Sequence, residues 1–157
     1  MTITPDDRWA AAELLARYAE LMDAGDFAGV GDLLSDAQVA TADGSVVATG
    51  AAEVRALYEA TTVRFDDGTP HSAHVITNVI VEPVPAEQHG DDAADEMEVR
   101  SRFTVLQGTE RLGLQPVVVG RYVDRLRRIE GRWRFVHRTM IPERWGDTAD
   151  HLTFDPR

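Results

Sequence analysis

The sequence predicts an α+β domain in which three N-terminal helices pack on one face of a curved, mainly antiparallel sheet. Two observations carry that class. Apolar residues recur at helical spacing in three segments before residue 65, whereas from residue 71 onward the pattern is four long, strand-like runs. Two tight turns, Asp43-Gly44 and Glu130-Gly131, join neighbouring extended runs as hairpins. Helices first and antiparallel strands after place the helices on one side of the sheet and leave an interior between the layers. With 157 residues, no internal repeat and no dividing linker, one domain over 1–157 is expected, its core at about 8–141 and a C-terminal tail at 142–157.

The first helix opens at Thr4-Pro5-Asp6-Asp7. Thr4 can cap, Pro5 suits the first helical position, and two aspartates favour the positive end of the helix dipole. Ala11, Leu14, Leu15, Tyr18, Leu21 and Met22 form its apolar stripe, and Gly25 is a stop. A short second helix over 26–34 carries Phe27, Val30, Leu33 and Leu34 on one side. Short strands at 37–42 and 45–49 flank Asp43-Gly44, and a third helix over 51–64 buries Val54, Leu57, Tyr58 and Thr61 or Thr62. The long strands are expected at 71–82, 96–107, 117–129 and 132–141. Between the first two, the Pro-, Ala-, Gly- and acid-rich segment 83–95 reads as a flexible exposed loop.

Composition excludes several function classes. Without cysteine there are no disulfides, thiolate metal sites or cysteine nucleophiles. A net charge of −11 opposes a nucleic-acid partner. Arg121, Arg125, Arg127, Arg128, Arg132 and Arg134 cluster around the last hairpin, and they read as an outer strand face matched to carboxylates elsewhere. No apolar run approaches the ~20 residues of a membrane helix. The acidic N-terminus lacks the order of a secretory signal, so a cytoplasmic protein is expected. Ser72, Ser101 and Thr104 lack a nucleophile-elbow context, and no glycine-rich loop follows a strand. The spacing of His71, His74 and Glu82 matches no zinc motif; no metal and no cofactor is expected. His89 and His151, in loop and tail, carry no signal.

Four polar residues stand out. In an ideal strand His74 shares a face with Ile76, Asn78 and Ile80, while Ala73, Val75, Thr77, Val79 and Val81 share the other. Both faces are largely apolar, which predicts a strand covered on both sides and a histidine in need of partners. Asp23 sits near the negative end of its helix, so its carboxylate is expected to serve a partner elsewhere. Tyr18 faces the core, yet in a continuous helix it stands roughly 140° from Asp23, so the two would flank a pocket or the helix would unwind between them. Arg138 falls opposite Trp133, Phe135 and His137 and beside Val136 and Met140. It requires an anion: Asp23, a substrate carboxylate, an oxygen bearing developing charge, or a buried structural partner.

Three stretches carry a resemblance. Arg17-Tyr18-Ala19-Glu20-Leu21-Met22-Asp23-Ala24-Gly25-Asp26-Phe27, His74-Val75-Ile76-Thr77-Asn78-Val79-Ile80-Val81-Glu82 and Gly131-Arg132-Trp133-Arg134-Phe135-Val136-His137-Arg138 resemble the SnoaL-like branch of the nuclear transport factor 2-like superfamily. Within it the chain looks most like the scytalone dehydratase and bile-acid dehydratase group of cofactor-free lyases. The resemblance implies a cystatin-like cone with a buried pocket and a site at Tyr18, Asp23, His74 and Arg138. Tyr58, Asn78, Ser101, Phe103 and Met140 are expected to contact a small hydrophobic or polycyclic carbonyl-containing substrate.

In that reading His74, oriented by Asp23, removes a proton next to a carbonyl, and Tyr18 or Arg138 stabilises the oxygen or assists loss of water. The group's further carboxylate or imidazole on the second long strand has no counterpart here, where Ser101 and the pair Arg100 and Arg102 occupy mid-strand. Other members are non-catalytic small subunits of ring-hydroxylating dioxygenases, polyketide cyclases, ketosteroid isomerases and epoxide hydrolases, so fold alone does not fix function. Open sheet faces carrying Val117, Val119 and Val123 are expected to support self-association as a dimer or trimer.

Overall fold

The computed structural model describes residues 1–85 and 95–157. Helix α1 spans Pro5–Asp23, α2 Phe27–Leu33 and α3 Gly50–Thr61. Strands β1 (Gln38–Thr41), β2 (Val46–Thr49), β3 (Ser72–Pro83), β4 (Glu96–Gln107), β5 (Gln115–Ile129) and β6 (Arg132–Trp145) form one sheet in the order β2-β1-β6-β5-β4-β3. Among the described residues β1 and β6 pair in parallel, and the other neighbours are antiparallel. The α+β architecture with helices on one sheet face is as expected. Most of the loop expected at 83–95, with His89, lies outside the described residues.

Helix α1 begins with a reciprocal capping box. The Asp7 backbone N–H donates to Thr4 Oγ1 at 3.2 Å, and the Thr4 N–H donates to Asp7 Oδ2 at 2.9 Å. Asp7 also ties the helix to the sheet, because its Oδ1 accepts Trp133 Nε1–H at 2.9 Å and Arg128 Nη2–H at 2.8 Å. Burial pushes the Asp7 carboxyl up, but these partners, led by Thr4, pull it down to about 2. At the other end Gly25 takes φ +69°, and a Cβ there would stand 2.1 Å from the Gly68 carbonyl oxygen. Glycine is required on both counts.

Ala11, Leu15, Tyr18 and Met22 of α1 pack with Phe27, Val30, Val54 and Tyr58 of the other helices onto the inward residues of β4 to β6. The inner row of β4 is Met97, Val99, Ser101, Phe103 and Val105. On the outer side arginines meet carboxylates, as expected: Arg121 and Arg102 bind Glu143, Arg127 binds Glu96, and Arg134 binds Asp36; Arg128, expected among them, instead turns to the helix side, over the Trp133 ring and onto Asp7.

Two bulges correct the ideal alternation. The β3–β4 register shifts between Thr77 and Ile80, where Asn78 adopts φ +55°, a left-handed conformation that asparagine tolerates. The bulge turns Ile80 outward and Val81 inward, and it leaves Asn78 exposed. Strand β3 is therefore an edge strand with one open face, not a strand covered twice; Val75, Val79 and Ile80 are 43%, 38% and 49% exposed. A second shift, between Arg125 and Leu126 opposite Val136, rotates β6 so that Arg138 falls on the same inner face as Trp133 and Phe135. The expectation that placed them on opposite faces assumed unbroken pairing.

The C-terminal segment is no loose tail. Strand β6 runs to Trp145, and residues 146–157 fold back across the domain. Gln107 Nε2 donates to the Pro70 and Asp150 carbonyls at 2.9 and 3.0 Å, the Val63 N–H donates to the His151 carbonyl, and Thr62 bridges Leu152. Val117, expected on an outer face, is instead fully buried in the core, as the extra residue where the β4–β5 register shifts between Val105 and Leu106.

Candidate active site

Between helices and sheet lies a cavity of about 660 Å³, within the range of small-molecule sites. Tyr18 and Met22 of α1, Leu57 and Tyr58 of α3, and Phe103, Tyr122 and Met140 of the sheet form its apolar walls. The β1–β2 turn at Thr41–Asp43 and the C-terminal residues His151, Leu152, Phe154 and Pro156 complete it.

Asp23 and His74 meet at one end of this cavity. His74 Nδ1 lies 2.6 Å from Asp23 Oδ1, the His74 backbone N–H donates to Asp23 Oδ2 at 2.8 Å, and the Ser72 hydroxyl donates to Oδ1 at 3.1 Å. The carboxylate at the end of α1 thus holds the start of β3. Its placement against the helix dipole is offset by three donors from the sheet. A carboxylate on Nδ1 sets the neutral tautomer with the proton there and leaves Nε2 as the basic nitrogen. The His74 side chain is 4% exposed and that of Asp23 25%, so the imidazole is enclosed while its orienter touches solvent.

Helix α1 stays continuous to Asp23, and Tyr18 flanks the imidazole rather than sharing its side of the helix. The Tyr18 and His74 rings meet edge to face, their centroids 6.1 Å apart. The Tyr18 hydroxyl lies 2.9 Å from that of Tyr58, which in turn donates to Met140 Sδ at 3.5 Å. Burial, reinforced by Tyr18, pushes the Tyr58 and Tyr122 hydroxyls well above the usual tyrosine range, so both remain protonated donors.

Arg138 lies beneath this layer. Its Nε and Nη2 donate to Asp124 Oδ1 and Oδ2 at 2.8 and 2.9 Å, and both residues are fully buried. The guanidinium carbon sits 4.1, 4.3 and 4.8 Å from the ring centroids of Tyr18, Tyr122 and Phe135. Burial opposes its charge, but the Asp124 carboxylate holds it protonated. Arg138 is therefore walled off from the cavity by tyrosines and paired with Asp124, not Asp23.

The substrate-contact expectations divide. Tyr58, Phe103 and Met140 line the cavity, whereas Asn78 is exposed in its bulge and Ser101 lies buried outside the lining, opposite that bulge. His71 is exposed and outside the cavity lining, stacked on Phe65 and bound to Asp67.

Asp124, Tyr122 and His151 were not anticipated as site residues. Asp124 had a signal, a lone carboxylate alternating inward between Tyr122 and Leu126. Unbroken hairpin pairing sets it against His137; the Val136 bulge brings Arg138 there instead. His151 had none, because its position depends on where the C-terminal segment lands.

A family model described as a SnoaL-like domain matches residues 4–139. No curated protein matches the chain. Among solved structures, a Nostoc punctiforme protein of unknown function with a cystatin-like fold is 24% identical (TM-score 0.68), covering 91% of this chain and 96% of its own. A Novosphingobium aromaticivorans protein provisionally assigned as a scytalone dehydratase is 18% identical (TM-score 0.68; 97% and 90% covered). The beta subunit of a provisionally assigned aromatic-ring-hydroxylating dioxygenase from the same organism is 19% identical (TM-score 0.64; 94% and 96% covered). At these identities the likeness is one of fold.

Proposed function

The chain belongs to the SnoaL-like domain family of the nuclear transport factor 2-like superfamily, and we propose that it is a cofactor-independent lyase or isomerase acting by general acid–base catalysis. The observation that carries this reading is the 2.6 Å contact between His74 Nδ1 and Asp23 Oδ1 at the wall of an apolar cavity. His74 Nε2 removes a proton from the carbon next to a substrate carbonyl, and Asp23 stabilises the imidazolium that forms. The electron pair moves onto the carbonyl oxygen, to which the Tyr18 hydroxyl donates once it turns from Tyr58, whose own proton lies on Met140 Sδ. Returning the proton to another carbon is isomerisation; expelling a β-hydroxyl as water is dehydration. The lining suits a small hydrophobic or polycyclic substrate.

Proton abstraction is tested without knowing the substrate. In D2O with 1-tetralone, the wild-type protein is expected to accelerate exchange of the α-hydrogens, read by proton NMR, and His74→Gln and Asp23→Asn to lower that rate by about 10²-fold or more. Exchange in wild type no faster than in buffer, or unchanged in both folded variants, overturns the assignment.

A non-catalytic assembly module is the second reading, favoured by the exposed Val75 and Ile80 on the outer sheet face. It leaves the Asp23–His74 pair without a task, and it is distinguished by a stable complex with a larger subunit on purification. In either reading the outer face is proposed to support self-association. An epoxide hydrolase, needing two carboxylates and an arginine around a water, draws no support from Asp124 and Arg138, which are sealed beneath the tyrosines.

A further inference from the structure

His151 has no role in the chemistry above, yet its position is built. The residue is 5% exposed and lines the same cavity as His74. Its backbone is held on both sides: its N–H donates to the Thr148 carbonyl at 2.9 Å and its carbonyl accepts the Val63 N–H at 2.9 Å. One residue before it, Asp150 offers its carbonyl to Gln107 and its carboxylate to Thr109 and Arg111. One residue after it, Leu152 bridges Thr62 at the end of α3.

The ring carries the opposite feature. Nδ1 is buried with no hydrogen-bond partner, and among the described residues the side chain makes no hydrogen bond. A buried polar group left unpaired is destabilising, and the surrounding walls are tyrosine, methionine and leucine. With Nδ1 enclosed, Nε2 is the nitrogen through which the ring can meet what enters the cavity. An enclosed bare lone pair is tolerated better than an enclosed bare N–H, so the neutral tautomer places the proton on Nε2. Burial first, and repulsion from a protonated His74 second, keep the ring neutral, outweighing Asp23. A neutral imidazole is a hydrogen-bond donor that does not surrender its proton, and it can polarise a carbonyl.

We infer that His151 binds the substrate's oxygen, donating Nε2–H to the carbonyl or hydroxyl whose charge grows as His74 removes the adjacent proton. The inference rests on the acid–base reading of the cavity. In the step, the carbon-bound proton passes to His74 Nε2, the electron pair passes to the oxygen, and His151 strengthens its hydrogen bond without transferring a proton.

The experiment compares 2-naphthol with naphthalene as probes of the full-length protein by titration calorimetry. Wild type is expected to prefer 2-naphthol by at least about tenfold. His151→Phe removes most of that preference while binding naphthalene no more weakly, and His151→Gln, which keeps a donor, retains most of it. A merely structural role weakens both probes together. The His151 Nε2 resonance of wild type, assigned by long-range 1H–15N NMR, moves when 2-naphthol is added and not with naphthalene. A wild type without the preference, a folded His151→Phe that keeps it, or an unmoved resonance overturns the inference. If the preference behaves as expected but no α-proton exchange occurs with 1-tetralone, oxygen binding by His151 stands and the catalytic reading falls.

Discussion

Arg138 and Asp124 face each other across β5 and β6 in a two-point grip, at 2.8 and 2.9 Å, with neither side chain exposed. Three aromatic rings close over the guanidinium, two of them tyrosines of the cavity wall. The pair is thus the floor on which Tyr18 and Tyr122 rest, one layer below the chemistry.

Removing one partner leaves the other charge buried and unpaired. Asp124→Leu or Arg138→Met alone is expected to destabilise the fold by about 3–5 kcal/mol, whereas the two changes together recover most of that. Denaturant unfolding of the three variants measures it. Additive losses would show that the grip contributes nothing as a pair.

Tyr18 and Tyr58 share one hydrogen bond but differ in place. Tyr18 lies edge-on to His74, whereas Tyr58 sits one step behind it and also reaches Met140. Tyr18→Phe is expected to slow α-proton exchange by ten- to hundredfold and Tyr58→Phe by less than tenfold, with both proteins still folded.

His151 makes stability depend on pH. Burial lowers its pKa from 6.5 to about 4, so between these values the unfolded chain binds a proton that the folded protein refuses. Stability therefore falls as pH drops through 6.5 and levels off near 4, the loss reaching at most about 3 kcal/mol. Urea unfolding of wild type between pH 7 and 4 should show this slope, and His151→Phe should lack it.

Asp7 acts in a lower window. Its folded carboxyl titrates at about 2, against 3.8 ordinarily, so its contribution is present above 3.8 and disappears as pH falls to 2. Asp7→Ala removes the cap and the Trp133 partner together and is expected to cost about 2 kcal/mol at neutral pH. Thermal unfolding at pH 7 tests the size, and convergence of mutant and wild type near pH 2 tests the cause.

On the outer sheet face, Val75 and Ile80 lie beside Arg100 and Thr104, with no covering element among the described residues. Changing both to glutamate is expected to shift the protein toward a lower-mass species in sedimentation at micromolar concentration while leaving far-ultraviolet circular dichroism unchanged. A wild type that already sediments as a monomer removes this face as a self-association surface.

Local physics determined the larger part of the architecture. The Thr4 cap, the helical stripe through Tyr18 and Met22, the Gly25 stop and the Asp43-Gly44 and Glu130-Gly131 turns place three helices before the long strands from sequence alone. Those signals are short-range, so they survive being read one segment at a time. The resemblance of three sequence stretches to the SnoaL-like branch likewise brought Tyr18, Asp23 and His74 forward as members of one site. Tertiary structure decided what depends on register and on long-range return of the chain. A single extra residue near Asn78 exposed that side chain, and another near Val136 turned Arg138 inward onto Asp124, because side-chain direction in a strand has period two and one bulge inverts it. His151 entered the cavity because Gln107, Thr62 and Val63 hold a segment whose own sequence has no periodicity to reveal where it packs.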